Sequence, residues 1–562
     1  DTLIGGAGID TASYSEATSG VRVNLTVSGA QGTGEGTDTL VGIENVTGSA
    51  FSDVITGDAG ANVIDAGASN DAVDGGAGND TISGGAGDDM LIGNLGANTI
   101  DGGDGIDTGM LLEKYADYTV TQTGAGSATI VHNGAIESNT FTNVERFRFV
   151  DGVVLTLGGG GNDLFDLSQK TGAVALATGA GNDAILAGGA LIAADRIDGG
   201  AGTDQIGLKG DYTGANRLVL DAGTLSNVEV LAVLADGRYD ITSADATVAA
   251  GQGFTVFGGN LGSGDSLTFN GSAETDGSFL MFGGLGTDTL TGGAGNDAFF
   301  FGPGGFGSND VVVGGTGVDQ LGLDGFAGNL SLRADNADVE VVALLRGPNG
   351  TNTYGTLFVE DSWVAAGATK TITAVTNFQG QAGSVMADLV IDGSQETNGN
   401  LRILAGSGND TIFGGAGDDT LFGGLGRDKI SGGAGTDTFV FNSAAESNVT
   451  VGNGGAAILN YDTLFGFTQG TDVIQVNGQS YGTATAGQNG RLDDATFNDD
   501  LAAAFGNIGG NAAVTFTATS GNHAGETFMV VNTDGVAGYQ AGSDLVLHLA
   551  PVGDLTPPSV IL

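Results

Sequence analysis

The sequence predicts an all-β chain: a parallel β-roll or β-helix solenoid with strand-rich inserts and one short helix near the C-terminus. Three observations carry that expectation. The 562 residues include 107 Gly but only 5 Pro. An acid and an aliphatic side chain recur with a period of nine residues. Short alternating runs such as SATIVHN from Ser127 and LRILAG from Leu401 are bounded by glycine, as half-buried strands are. With 40% hydrophobic residues and no three-residue Gly period, collagen and disorder are poor fits, so the glycines serve turns.

Residues 48–110 divide without a gap into nonapeptides starting at Gly48, Gly57, Ala66, Gly75, Gly84, Gly93 and Gly102. Position six carries Asp53, Asn62, Asp71, Asp80, Asp89, Asn98 and Asp107. Position eight carries Ile55, Ile64, Val73, Ile82, Leu91, Ile100 and, breaking the rule, Gly109. Asp10 follows Asp1 in the same phase. A second array places Asp410, Asp419, Asp428 and Asp437 at position six, and Ile412, Leu421, Ile430 and Phe439 at position eight. Shorter runs supply Asp163, Asp183 and Asp204, then Asp288, Asp297, Asp310 and Asp319.

The spacing has a physical reading. Six Gly-rich residues make a turn that needs positive φ and close backbone approach, and three make a short strand with its aliphatic side chain inward. Two nonapeptides complete a coil, so acids eighteen residues apart stack along one edge. Their carboxylates and the turn carbonyls form oxygen cages. Ca²⁺ takes six to eight such oxygens, whereas Zn²⁺ would want the Cys or clustered His that this chain lacks. One edge of the first array reads Asp53, Asp71, Asp89, Asp107 and the other Asn62, Asp80, Asn98, which predicts weaker calcium sites on the Asn edge.

Charge points the same way. Lys and Arg number 16 against 66 Asp and Glu, a formal net charge of −50. Such a chain repels nucleic acid and anionic membrane and resists compaction unless cations neutralise it. With no Cys, an exported chain needs metal as its cross-link. No apolar run approaches the roughly 18 to 20 residues of a membrane helix. Residue 1 is neither Met nor part of a secretory signal, so a soluble, truncated chain without membrane insertion is expected.

These nonapeptides resemble the RTX (repeats-in-toxin) family, whose repeats form a calcium-bound parallel β-roll. The resemblance implies export through a type I secretion channel, guided by a C-terminal signal, with folding on external calcium. Segments 462–476 and 526–549 resemble the terminal regions of RTX surface proteins, including surface-layer and bluetail types. Segments like DTLFGF also close the β-roll of serralysin proteases.

The expected organisation is a β-roll with insert over 1–110, a strand-rich insert over 111–157 and a short repeat segment over 158–207. Two β modules follow over 199–313 and 314–440, then a C-terminal cap-like region over 441–550 and a linker over 551–562 toward a missing Ig-like domain. The modules are tandem duplicates: NVEVLAVL from Asn227 matches DVEVVALL from Asp338, and NGSAETDGSF from Asn270 matches DGSQETNGNL from Asp392. Glu44, Glu145, Glu229 and Glu340 share a Val-Glu or Ile-Glu step, which reads as a solvated strand end or, alternatively, a functional glutamate ladder. The helix is expected within ATFNDDLAAAFGN from Ala495, capped by Thr496 or Asn498 and stopped at Gly506.

Catalytic signals are weak. His132, His523 and His548 form no HExxH and read as strand-face residues. Ser480 sits in one Gly-x-Ser-x-Gly, but no helix pattern follows, as a nucleophile elbow requires, so it reads as a loop residue. Trp363 is the sole Trp and offers no aromatic sugar platform. The expected function is a non-enzymatic, calcium-dependent extracellular or cell-surface structural protein of surface-layer type, partnered by calcium and by copies of itself or cell-surface components. The alternatives are the extender of a giant adhesin and the C-terminal region of a secreted hydrolase.

Overall fold

The computed structural model describes residues 1–124, 126–134, 137–170, 172–336, 338–346, 352–375, 384–451, 457–481, 484–506, 508–510 and 512–558. Strands dominate, most are parallel, and Phe497–Ala504 is the one α-helix among the described residues. Two compact units form, Asp1–Leu234 with Ile241–Val248, and Ala235–Asp240 with Ala249–Leu562.

In the first unit the nonapeptide pattern converts directly into two parallel ladders. Strands Val63–Ala68, Thr81–Ala86 and Gly96–Asp104 place Ile64 opposite Ile82 and Ile82 opposite Ile100. Strands Val54–Thr56, Ala72–Asp74, Met90–Ile92 and Thr108–Met110 likewise stack Ile55, Val73, Leu91 and Gly109. Each partner lies 18 residues on, so two nonapeptides make one coil. The aliphatic residues of both ladders meet in one buried core, where each contributes about 1.5–3 kcal/mol.

Coils can stack this closely only because specific turn positions lack a side chain. Gly85 has φ +106°, and a Cβ there would fall on the Gly67 carbonyl of the preceding coil. Gly103 repeats the arrangement on the carbonyl of Gly85.

Gly109, the exception at position eight, has a steric cause. Its strand pairs with Arg146–Arg148, setting Gly109 opposite Phe147. A Cβ at Gly109 would stand 2.7 Å from the Phe147 ring and 3.1 Å from that of Phe141. Those two rings pack edge to face with centroids 4.8 Å apart and fill the space that an aliphatic residue fills in other coils.

The insert that follows extends the solenoid instead of interrupting it. Strand Glu137–Thr142 pairs in parallel with Gly96–Asp104, with Phe141 opposite Ile100. Strands Tyr118–Gly124 and Ser127–His132 then add antiparallel on its outer side.

The second unit repeats the plan. Strands Asn400–Leu404, Thr420–Phe422, Thr438–Phe441 and Val473–Val476 stack Ile403, Leu421, Phe439 and Ile474. Strands Val390–Asp392, Thr411–Gly415, Lys429–Gly433 and Asp462–Phe465 stack Ile391, Ile412, Ile430 and Leu464. Beyond them the pairing changes direction: Leu545–Ala550 joins Asp462–Phe465 in parallel, and Thr527–Val531 and Ala513–Ser520 follow antiparallel.

The helix covers this end of the unit with Phe497 and Leu501, buried in a cluster with Tyr461, Phe516 and Phe528. Thr496 is the residue at its N-terminus, but its hydroxyl donates to the Asp500 carboxylate at 2.7 Å and caps no backbone N–H. Asn498 lies inside the helix and accepts the Tyr539 hydroxyl at 2.7 Å. Trp363 is a core residue, its Nε1–H donating to the Asn336 carbonyl at 2.9 Å.

Gly109→Leu is expected to destabilise the calcium-loaded chain by about 1–3 kcal/mol through overpacking against Phe147 and Phe141. Denaturant unfolding at saturating calcium measures it, and the same change at a neighbouring exposed site should be near neutral.

Candidate metal centre

The stacked coils bring the position-six acids into continuous ladders. The Asp53 N–H donates to Asp71 Oδ1 at 2.7 Å, Asp71 to Asp89 at 2.8 Å, and Asp89 to Asp107 at 2.8 Å. On the opposite edge the Asn62 N–H donates to Asp80 and the Asp80 N–H to Asn98. Asp163, Asp183 and Asp204 form a third ladder. In the second unit Asp288 donates to Asp310 and Asp297 to Asp319, while Asp410 donates to Asp428 and Asp419 to Asp437. Asp10 stands at another ladder end, donating to Glu44.

Only Oδ1 is consumed by this pattern. Asp10, Asp71, Asp80, Asp89, Asp107, Asp183, Asp204, Asp319, Asp419 and Asp428 each keep a buried Oδ2 without a hydrogen-bond partner. Leaving so many buried acceptors unpaired is costly, more so when they are charged. A contrast lies nearby: buried Asp195 accepts Lys170 Nζ at 2.9 Å and the N–H groups of Val174 and Ile192. Other ladder acids are better satisfied. Asp53 Oδ2 accepts the Ser49 N–H, and the second oxygens of Asp163, Asp288, Asp297, Asp310 and Asp410 accept glycine N–H groups.

The unpaired oxygens share a cradle with backbone carbonyls. A Cβ added at Gly84 would fall on Asp89 Oδ2 and stand 2.6 Å from the Gly102 carbonyl of the next coil. One at Gly414 would fall on Asp419 Oδ2 and the Gly432 carbonyl. Carboxylate and carbonyl oxygens thus converge where no side chain can enter, a donor set suited to a hard divalent cation.

On the mixed edge the amides alter this. Asn62 Nδ2 donates to the Glu44 carbonyl at 2.7 Å, and Asn98 Nδ2 to Asn139 Oδ1 at 2.8 Å. Each amide therefore puts an N–H donor where the Asp edge offers a bare oxygen.

The electrostatics follow from burial. Desolvation pushes Asp71 up to about 7, with repulsion from Asp89 and Asp53 adding to it. Burial raises Asp319 and Asp410 to about 7 and Asp419 to about 8. Asp80, Asp107, Asp288 and Asp437 are raised by burial to about 6.

Several ladder positions escaped the nine-residue phase. Asp462 Oδ1 accepts the Asp428 N–H at 2.7 Å and Asp472 Oδ1 that of Asp437 at 3.2 Å, continuing both ladders of the second array. Each is followed two places on by an aliphatic residue, Leu464 or Ile474, which was the legible signal. Asp38 and Leu40 fit the same rule, and Asp38 is buried with Thr33 Oγ1 donating to it.

The glutamate steps are not solvated strand ends. Glu44, Glu145, Glu229 and Glu340 are half-buried, and each accepts the N–H of the last acid in a ladder: Asp10, Asp107, Asp204 and Asp319, at 2.7–2.9 Å. Gly102 faces the Asn143 carbonyl as Gly84 faces that of Gly102, but the acid then follows two residues later instead of five. The longer glutamate side chain spans the shortened turn. Lys370 Nζ also binds Glu340 at 3.0 Å, so a lysine cation already serves that ladder end.

The histidines are divided. His132 and His548 lie on strands, whereas His523 lies in a turn, its ring nitrogens bonded to Glu526 at 2.8 Å and Asp494 at 2.7 Å. Ser480 is exposed on the hairpin strand Gln479–Tyr481, not in a loop, opposite Gln475. Gly482 of its motif lies outside the described residues.

Comparison with known proteins agrees with the repeat geometry. The RTX calcium-binding nonapeptide repeat, in four copies, matches residues 33–73, 47–82, 74–108, 280–305 and 404–439. These repeats bind calcium, mark secreted proteins and are not themselves catalytic. Among solved structures the chain is similar to the extracellular lipase LipA from Serratia marcescens, at 15% identity and a TM-score of 0.11. That match covers 52% of this chain and 33% of the lipase, about a third of its length. No curated protein matches.

Two outcomes are expected. The raised carboxyls hold protons in the metal-free fold at pH values where the unfolded chain has released them. Their contribution is full below about 4 and is lost as pH rises through the folded values of about 6 to about 8, so calcium-free β-structure by circular dichroism should be greater at about pH 4.5 than at about pH 8. Asn62→Asp replaces a donor by a carboxylate oxygen beside the Glu44 carbonyl and should strengthen calcium binding on that edge, measured by calorimetric titration.

Proposed function

We propose that this RTX-type protein, which binds multiple calcium ions, is an extracellular structural protein that Ca²⁺ folds after type I secretion and then assembles on the cell surface, in the manner of a surface layer. In this reading the position-six residues of the ladders, Asp10, Asp53, Asp71, Asp80, Asp89, Asp107, Asp163, Asp183, Asp204, Asp288, Asp297, Asp310, Asp319, Asp410, Asp419, Asp428 and Asp437, are calcium ligands, with Asn62 and Asn98 at the weaker sites. The observation that carries it is the row of buried, unpartnered Oδ2 atoms that recurs coil after coil beside backbone carbonyls.

The physical logic is linkage. At a formal net charge of −50 the calcium-free chain resists compaction, and the ladders concentrate part of that charge in buried rows. Ions that bind only the folded coils contribute their binding free energy to folding. The chain stays extended where calcium is scarce and folds where it is abundant. Acidic faces of neighbouring copies are then available for further bridging.

Calcium titration of the purified chain tests this, with circular dichroism and light scattering followed together. A rise in β-structure accompanied by growth in particle size is expected. Folding without growth would replace the assembly reading with an adhesin extender or a passive secretion region. No folding response at millimolar calcium would overturn the proposal.

A further inference from the structure

The duplicated modules carry a second kind of acid that the nonapeptide rule does not cover. Turns 272–277 and 394–399 read Ser-Ala-Glu-Thr-Asp-Gly and Ser-Gln-Glu-Thr-Asn-Gly. Their glutamates, Glu274 and Glu396, are each only 1% exposed. Glu274 Oε1 accepts the N–H groups of Thr275, Asp276 and Gly277 at 3.1, 3.1 and 2.7 Å. Glu396 Oε1 accepts those of Asn398 and Gly399 at 2.9 and 2.5 Å. In both turns Oε2 is buried and has no partner. The same arrangement thus arises twice, at two places in the second unit.

Both turns stack directly beneath an RTX turn. The Ala294 N–H donates to the Glu274 carbonyl at 3.0 Å and the Ala416 N–H to that of Glu396 at 3.1 Å. A Cβ at Gly293 would lie 2.8 Å from Glu274 Cβ, and one at Gly415 3.1 Å from Glu396 Cβ. The preceding glycines, Gly292 and Gly414, face Asp297 Oδ2 and Asp419 Oδ2. Each turn therefore occupies the coil that precedes the first acid of a ladder.

That coil has lost its own ladder acid. The N–H groups that donate to Asp297 Oδ1 and Asp419 Oδ1 belong to Phe279 and Leu401, at 2.6 and 2.7 Å, where an internal coil would present an aspartate. An apolar residue has replaced the position-six carboxylate, and a glutamate from the turn has entered beside the same RTX turn.

Resting on the calcium reading of the ladders, we propose that Glu274 and Glu396 are additional calcium ligands, each completing with its free Oε2 a site at the start of a ladder beside Asp297 or Asp419. The turn N–H groups hold Oε1 and so fix the carboxylate, which leaves Oε2 preorganised for the ion. Lys or Arg could neutralise such a carboxylate, as Lys170 does for Asp195, but Glu274 and Glu396 form no salt bridge among the described residues.

The test compares calcium bound per chain, by equilibrium dialysis and elemental analysis, between the full chain and its E274Q/E396Q variant. Glutamine keeps the Oε1 acceptor, so circular dichroism at saturating calcium should be unchanged while one ion is lost for each altered turn. An equal ion count in both chains overturns the glutamate sites and leaves the ladders intact. A parent chain that binds no calcium at all would instead sink the reading on which they rest. If the variant does not fold, crystals of the parent chain soaked with terbium decide: an anomalous peak bonded to Glu396 Oε2 is expected, and peaks confined to other parts of the ladders refute the assignment.

Discussion

The constraint on which the molecule depends is the burial of like charges in rows. Adjacent parallel strands lie about 4.8 Å apart, so a carboxylate repeated at the same place in every coil meets its own copy at about that spacing. The Asp ladders accept this geometry throughout, donating each backbone N–H to Oδ1 of the acid one coil on. That hydrogen bond fixes the carboxylate orientation and turns Oδ2 toward a space lined by backbone carbonyls. An oxygen-rich space with repelling walls is a poor resting state and a good cation site.

Glycine and apolar side chains serve the same end. The turns must close tightly enough for carbonyls of successive coils to converge, which requires bare Cα atoms such as those of Gly85 and Gly103. The short strands between turns must hold the stack together while the acids repel, and buried residues such as Ile82, Leu91, Ile412 and Leu421 do this from the inner faces. Apolar packing sets the coil in register, and the register sets the oxygen geometry. Coils of 20 to 22 residues keep the ladder hydrogen bond because the additional residues lengthen the turn on the other edge, as residues 302–310 do between strands Ala298–Phe301 and Val311–Val313 in the coil from Asp297 to Asp319.

What the sequence revealed follows from where the physics is periodic. The 18-residue coil, the alternation of buried aliphatic and exposed neighbours, and the alignment of position-six acids all follow from one repeated unit, and the strands of both units obey it. The short C-terminal helix was legible from Phe497, Leu501 and the acids of its first turn, although the cap roles of Thr496 and Asn498 were not, because the Thr496 hydroxyl turns to the Asp500 carboxylate one helical turn on and Asn498 meets Tyr539, which only tertiary structure brings near. Asp462 and Asp472 lay outside the phase because the chain makes excursions of 34 and 35 residues before rejoining the ladders. Gly109 looked like a lapse until Phe147, from the next coil, occupied its space.

The ends of the ladders show how a repetitive structure stops. An interior acid has a neighbour on each side, but a terminal one would leave its N–H without an acceptor. Glu44, Glu145, Glu229 and Glu340 meet that need from a turn three residues shorter, using one more methylene to reach the same point. Where a ladder begins, apolar Phe279 and Leu401 provide the donor N–H without a further charge in line. At both ends the backbone hydrogen bond is kept while the charge is moved, removed or paired with a lysine. Hydrogen bonding therefore dictates where a coil can join the stack, and charge placement is the variable that sets how many cations the finished stack demands.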